Sequence, residues 1–173
     1  LRLSGLDNRD DTDSEEAEVS SMTTLLEDVV NEGRALSLGR HVITLEACRA
    51  SLVGEPSDIR SAAMNLVSNA VRYTPEGGRI DVRWFRTSSG AVLSVKDTGI
   101  GIEEKHIPRL TERFYRVDKG RSRSTGGTGL GLAIVKHVCR SAGGQLKIES
   151  TPGKGSTISM VFPKSRIFGD ESV

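Results

Sequence analysis

The stretch RIDVRWFRTSSGAVLSVKDTGIGI, residues 79 to 102, holds two runs of alternating apolar and polar residues separated by TSSG. Alternation with a period of two puts every second side chain on one face, as a half-buried strand requires, and a short polar break between two such runs makes a β-hairpin. The second run ends on Asp97, and Gly99 and Gly101 follow it. An acid at a strand end followed by glycines reads as a turn.

Outward from this hairpin the pattern continues. HVITLEA (41–47) alternates as a strand does, and QLKIES (145–150) and STISMVF (156–162) form a second pair around TPGKG. Between Val19 and Leu38 the residues Met22, Leu25, Leu26, Val29 and Val30 recur at helical spacing. In SDIRSAAMNLVSNAVRYT (57–74) Ile59, Ala62, Ala63, Leu66 and Ala70 define a buried face, and Asn65, Asn69 and Arg72 line up along its border. Helices mixed with mostly hairpin-connected strands predict an α+β fold, a two-layer α/β sandwich with helices on one face of a mixed sheet.

Composition narrows the classes. The 173 residues are 36% apolar and 27% charged with a formal charge of +1, an ordinary balance for a chain that buries a core, with no overall field to steer it to nucleic acid. No apolar run approaches a membrane span, and no signal-peptide pattern opens the chain. Cys48 and Cys139 lack metal-ligand spacing and read as thiols of a reducing compartment. DNRDDTDSEEAE (7–18) carries seven acids and reads as a solvated linker behind LRLSGL, the tail of an upstream helix.

Three glycine-bearing stretches remain: DTGIGI (97–102), GGTGLGL (126–132) and GKGST (153–157). Gly153-Lys154 is followed by Gly155, so a phosphate-binding P-loop is absent, and Leu132 stands where a dinucleotide fingerprint needs Gly or Ala. A lone DTG has no second copy to supply an aspartic-protease dyad. Two asparagines on a helix ordinarily face water, yet amide oxygens are hard ligands and a guanidinium binds phosphate. Glycines running straight into the apolar stretch from Leu130 onward place free N–H groups at a helix start, which suits a phosphate.

Taken in order, NLVSNAVRYT, DTGIGI, ERFYRVD, GGTGLGL and GKGST resemble the N, G1, F, G2 and terminal glycine boxes of the catalytic ATP-binding domain of two-component sensor histidine kinases, members of the Bergerat-type (GHKL) ATPases. The resemblance runs from about residue 19 to residue 163; within the family IRSAAMNLVSNAVRYTPEGG and LTERFYRVDKGRSRSTGGTGLGLAIVKHV look most like its phosphate-regulon branch. It implies a Bergerat-type fold, ATP and Mg²⁺ as cofactors, and transfer of the γ-phosphoryl group to a histidine on a separate dimerisation domain, for relay to a response regulator. It implies residues 1–18 as helix end and linker, 19–165 as the catalytic domain with an ATP lid over about 103–128, and 166–173 as a tail. A cytoplasmic domain of a bacterial inner-membrane sensor follows, with neither nucleic acid nor direct membrane contact. An ATPase or serine kinase on the same fold, and a nucleotide-sensing module that transfers nothing, stay open.

The resemblance also assigns residues. Asp97 accepts the adenine amino hydrogen, Ile100 and Ile102 wall the base beside Gly99 and Gly101, and Ser156 joins a bridging water. Asn69 ligates Mg²⁺, and Tyr73 packs near the nucleotide. Asn65 stands where ATP-hydrolysing relatives carry Glu; a neutral amide cannot take a proton from water, which favours keeping ATP for transfer. Arg72 replaces the usual Lys as a phosphate contact. Phe114 and Tyr115 anchor the lid, and Arg116, Lys119 and Arg121 meet the phosphates, Arg116 also stabilising the transfer. Gly126, Gly127, Gly129 and Gly131 let the lid hinge and bring backbone N–H groups onto phosphate, with Thr128 adding a hydroxyl. Leu130, Leu132, Ile134, Val135, Val138 and Cys139 bury the following helix, leaving Lys136 and Arg140 wet. His41, His106 and His137 are not followed by an acid, so none reads as the phosphoacceptor.

Overall fold

The computed structural model describes residues 18–112 and 131–169. Its elements, in chain order, are β1 (Val19–Ser20), α1 (Met22–Ser37), β2 (Val42–Ala47), β3 (Ser51–Val53), α2 (Pro56–Tyr73), β4 (Arg79–Thr87), β5 (Gly90–Asp97), a 3₁₀ turn (Glu104–Arg109), α3 (Gly131–Ser141), β6 (Gln145–Thr151), β7 (Gly155–Pro163), a second 3₁₀ turn (Lys164–Arg166) and β8 (Ile167–Phe168). The hairpin forms as its alternation requires, with Trp84 opposite Leu93 and Thr87 opposite Gly90. β2 adds in parallel to β4, and the five-stranded sheet runs β2-β4-β5-β7-β6.

One face of that sheet is apolar because the alternation is in phase across it. Ile80, Val82 and Trp84 of β4, Ala91, Leu93 and Val95 of β5, and Ile158, Met160 and Phe162 of β7 are all buried. Against them lie Leu26, Val29 and Val30 of α1, Ile59, Leu66 and Val67 of α2, and Val135, Val138 and Cys139 of α3. Each large apolar side chain buried this way contributes about 1.5–3 kcal/mol. Trp84 sits edge-on to Phe162 with ring centroids 6.2 Å apart and donates its indole N–H to the Ala50 carbonyl at 2.8 Å. This is the α+β two-layer sandwich that the pattern predicts.

Four details differ from the sequence reading. α1 begins at Met22 rather than Val19, because Val19–Ser20 pair with Leu52–Val53. A small second sheet, β1-β3-β8, draws in Ile167 opposite Leu52, past the boundary at 165; strands this short carry no periodicity to read. Ile134 is 40% exposed instead of buried, since Val135, Val138 and Cys139 fix the inward stripe of α3 and Ile134 falls about 100° round from Val135. His41 precedes β2, and its ring ties two helices together: Nε2 lies 2.6 Å from the Thr74 carbonyl and Nδ1 2.9 Å from Ser37 Oγ. A carbonyl only accepts, so Nε2 carries the proton and the Ser37 hydroxyl donates to Nδ1.

Candidate nucleotide site

Asp97 is the last residue of β5 and faces Ser156 across the β5–β7 ladder, so the sheet brings DTGIGI and GKGST side by side. Its Oδ1 accepts the backbone N–H groups of Gly99 at 2.8 Å and Ser156 at 3.2 Å. Oδ2 takes no hydrogen bond among the described residues. Burial raises the Asp97 pKa above the ordinary carboxylate value, and the bonds from Gly99 and Ser156 pull against that rise. The result is a desolvated acceptor with one oxygen committed to backbone and the other open to a ligand.

The glycine turn is stitched to the end of α2. Ile100 N–H donates to the Tyr73 carbonyl at 3.2 Å, and a Cβ on Gly99 would lie 2.4 Å from that same oxygen. Gly101 has φ +74°, and a Cβ there would lie 2.2 Å from the Thr151 carbonyl. Both glycines are therefore demanded by the protein's own backbone. Ile100 is 55% exposed beside Asp97, while Ile102 is half-buried.

Two polar residues here escaped the sequence reading. Ser150 Oγ donates to the Gly155 carbonyl at 3.0 Å and accepts Ile102 N–H at 2.7 Å, and it lies 2.7 Å from Ser156 Oγ. Since the Ser150 proton goes to Gly155, Ser156 donates to Ser150 and keeps its own lone pairs as acceptors. Thr74 is the second: Oγ1 is buried and has no hydrogen-bond partner among the described residues, 3.0 Å from where a Gly99 Cβ would stand. A buried orphan hydroxyl beside Asp97 fits a place that water or a polar ligand fills. Nothing in a Ser on an edge strand or a Thr after a helix signals either role.

From this pole the site follows α2 backwards over Tyr73, Arg72, Asn69 and Asn65, about 12 Å of helix at 1.5 Å per residue. Arg72 Nη1 donates to Asn69 Oδ1 at 2.7 Å, with its guanidinium 5.9 Å from the Tyr73 ring centre. Asn65 Nδ2 donates to the Ser61 carbonyl at 2.9 Å, which turns its Oδ1 toward α3. Gly131 opens α3 opposite both amides: a Cβ there would lie 3.1 Å from Asn65 Oδ1 and 3.7 Å from Asn69 Nδ2. Gly131 of α3 thus stands against the two asparagines. Leu132 packs against the core.

No group of three or more His, Cys, Asp and Glu that could cage a metal occurs among the described residues. A lone amide oxygen such as Asn69 Oδ1 fits an ion carried mainly by phosphate and water, which is how Mg²⁺ is commonly held. Of the remaining sequence candidates, Arg116, Lys119, Arg121, Gly127, Thr128, Gly129 and Leu130 lie outside the described residues, as do Phe114, Tyr115 and Gly126. Lys136 is half-buried rather than fully wet, bordering a cavity of about 360 Å³ on the far side of α3 that also takes in Arg140 and Leu146. Burial pushes the Cys139 thiol up to about 11, so it stays protonated and unreactive. No described helix is long and apolar enough to cross a membrane.

The pattern of the histidine kinase-, DNA gyrase B- and HSP90-like ATPases matches residues 54–166, and the chain belongs to that family. It is 53% identical over 149 residues to the phosphate regulon sensor protein PhoR of Pseudomonas aeruginosa, covering 85% of this chain and 34% of that protein. It is 38% identical to the phosphate regulon sensor protein PhoR of Haemophilus influenzae, covering 94% of this chain and 38% of that one. Among solved structures, a mycobacterial sensor histidine kinase, MprB, superposes with a TM-score of 0.75 at 29% identity over 85% of this chain and 97% of the other. The chain spans about a third of the length of the two sensor proteins.

Proposed function

We propose that the chain is the catalytic ATP-binding part of a sensor histidine kinase, one that hands the γ-phosphoryl group of Mg-ATP to a histidine on a separate dimerisation domain, for relay to a response regulator. The observation that carries this is Asp97: a desolvated carboxylate with Oδ1 fixed by Gly99 and Ser156, beside the orphan hydroxyl of Thr74. An acceptor of this kind matches the amino group of adenine and repels the carbonyl of guanine. Likeness to sensor proteins of the phosphate regulon supports the signalling context and phosphate as the stimulus.

Asp97 and Ser156 orient the base, and Tyr73 and Ile100 flank it. Asn69 would hold the Mg²⁺ that supplies charge neutralisation at the phosphates, while Asn65, Arg72 and the N–H groups at the start of α3 fix the phosphate chain. Arg116, Lys119, Arg121, Gly127, Thr128, Gly129 and Leu130 complete this reading as a lid, with Arg116 on the transferring group. Because Asn65 is neutral it takes no proton from water, so the site positions ATP for transfer more than for hydrolysis. None of the three histidines of this chain is followed by an acid, and His41 is held between Ser37 and Thr74, which supports an acceptor on the separate domain. The same reading ends the upstream segment at 18, carries the catalytic part through β8, and makes the chain the cytoplasmic portion of a bacterial inner-membrane sensor.

The test is transfer of radiolabel from γ-labelled ATP to an added histidine-bearing dimerisation domain. Acid-labile label on that domain and none on this chain is the expected result. Acid-stable label, or label on this chain alone, contradicts it.

A further inference from the structure

The chain reaches β1 through Glu18, whose carbonyl accepts the Gly54 N–H at 2.8 Å. A Cβ on Gly54 would stand 3.9 Å from the Ala142 side chain, so this entry point lies beside the C-terminal end of α3. The Arg166 guanidinium reaches the same corner, 3.3 Å from where a Gly143 Cβ would stand, and the Arg140 carbonyl accepts the Gly143 N–H at 3.0 Å. Arg140 and Lys136, one turn apart on α3, then border the cavity of about 360 Å³, whose wall also takes in Ile107 and Ile148. Among the described residues the side chains of Lys136, Arg140 and Arg166 make no hydrogen bond or ion pair. A basic track thus runs from where the chain enters the domain toward the 3₁₀ turn at Glu104–Arg109.

Immediately before this corner the sequence is DNRDDTDSEEAE (7–18), with seven acids and one arginine. We infer that residues 7–17 dock along Arg166, Arg140 and Lys136 of the same chain, an acidic strap lying in a basic groove of its own domain. Eleven residues reach up to about 36 Å, whereas Lys136 is only about 9 Å of helix back from Ala142, so the length suffices. The other way out of the corner, over the start of α2, already carries Glu55 and Asp58, exposed acids that repel the strap. Because the strap is tethered to its groove, weak contacts with the three cations are enough to hold it. It sets the direction in which the preceding segment leaves the domain, and salt or a competing polyanion releases it.

A zero-length carbodiimide joins a lysine amine to a carboxylate only where the two touch, and peptide mass spectrometry of the whole chain locates the links. At about 0.01 M salt Lys136 is expected to link to residues 7–17 of its own chain at least about five-fold more often than the exposed Lys154 does. Arg140→Glu, at an exposed position, keeps that lysine and should cut its link several-fold, with circular dichroism checking the fold. Raising salt to about 1 M, where the Debye length falls from about 30 Å to about 3 Å, should do the same. A Lys136 link confined to dimers gives the groove to a second copy and overturns the proposal. So does a Lys136 link no more frequent than that of Lys154, or one indifferent to Arg140→Glu or to salt. The experiment involves no nucleotide, so its outcome leaves the ATP reading untouched.

Discussion

The backbone N–H of Ser156 lies 3.2 Å from Asp97 Oδ1, although 59 residues separate the two in sequence. The β5–β7 ladder makes the contact, placing a strand-end carboxylate and a glycine-rich loop in one register. The bond fixes which carboxylate oxygen faces protein and which remains to meet a ligand.

Replacing Asp97 with Asn keeps an oxygen for Gly99 and Ser156 but substitutes an amide at the ligand side. A hydrogen bond to a charged group is worth about 1.5–3 kcal/mol, so affinity for an ATP analogue should fall roughly 10- to 100-fold in calorimetry. Folding should respond in the opposite direction. Burial raises the folded-state pKa of Asp97, so the stability linked to its protonation is complete below the unfolded value, ordinarily about 3.9, and is lost as pH rises through the higher folded value. Thermal melts of Asp97→Asn and the native chain should therefore converge in acid and separate, with the variant the more stable, as the carboxyl ionises. By the same sign, native nucleotide affinity should decline on acidification at a midpoint above the ordinary carboxylate value.

Ser150→Ala removes the acceptor of Ile102 N–H and the partner of Ser156 Oγ. Leaving a half-buried N–H unpaired costs about 1–3 kcal/mol, which urea denaturation should register. Analogue affinity should fall several-fold, since Ser156 loses its fixed orientation while Asp97 keeps both backbone bonds.

Much of this architecture is legible in residues 79–102 alone, because Ile80, Val82 and Trp84 alternate against Ala91, Leu93 and Val95 in a way that only a two-sided strand pair explains. Asn65, Asn69 and Arg72 are legible for a similar reason, helical periodicity placing them on one border. The order of strands, which makes Asp97 the neighbour of Ser156, is a tertiary choice with no local signature. Thr74 and Ser150 are unreadable because their significance lies in what does or does not stand within 3 Å of them, and Ile134 was misplaced because several stripes of an apolar helix can be drawn inward until the sheet selects one.

Gly101→Ala should be among the more damaging single-methyl changes in the domain. The new Cβ would stand 2.2 Å from the Thr151 carbonyl on a backbone at φ +74°, whereas at Gly153, with φ +80°, it would meet nothing within 4 Å. The expected loss at Gly101 exceeds 2 kcal/mol by about the scale of overpacking plus backbone strain, and that at Gly153 is about 1 kcal/mol. Chemical denaturation of the two variants compares them, and equal losses would show that the loop moves aside.

Asn65→Glu supplies a carboxylate where the native amide cannot accept a proton from water. Phosphate release from Mg-ATP should rise at least about ten-fold over the native chain if that neutrality restrains hydrolysis. Asn65→Gln, equally neutral, should leave the release rate low.

The central claim is that one acidic side chain grips adenine while an asparagine about one turn back along α2 from Tyr73 serves the phosphate end. Calorimetric titration of a non-hydrolysable ATP analogue with Mg²⁺ into the native chain, Asp97→Ala and Asn69→Ala tests it most directly, with circular dichroism confirming that each variant is folded. The account predicts one saturable site in the native chain and at least a ten-fold loss in each variant. Native-like affinity in either folded variant would contradict it.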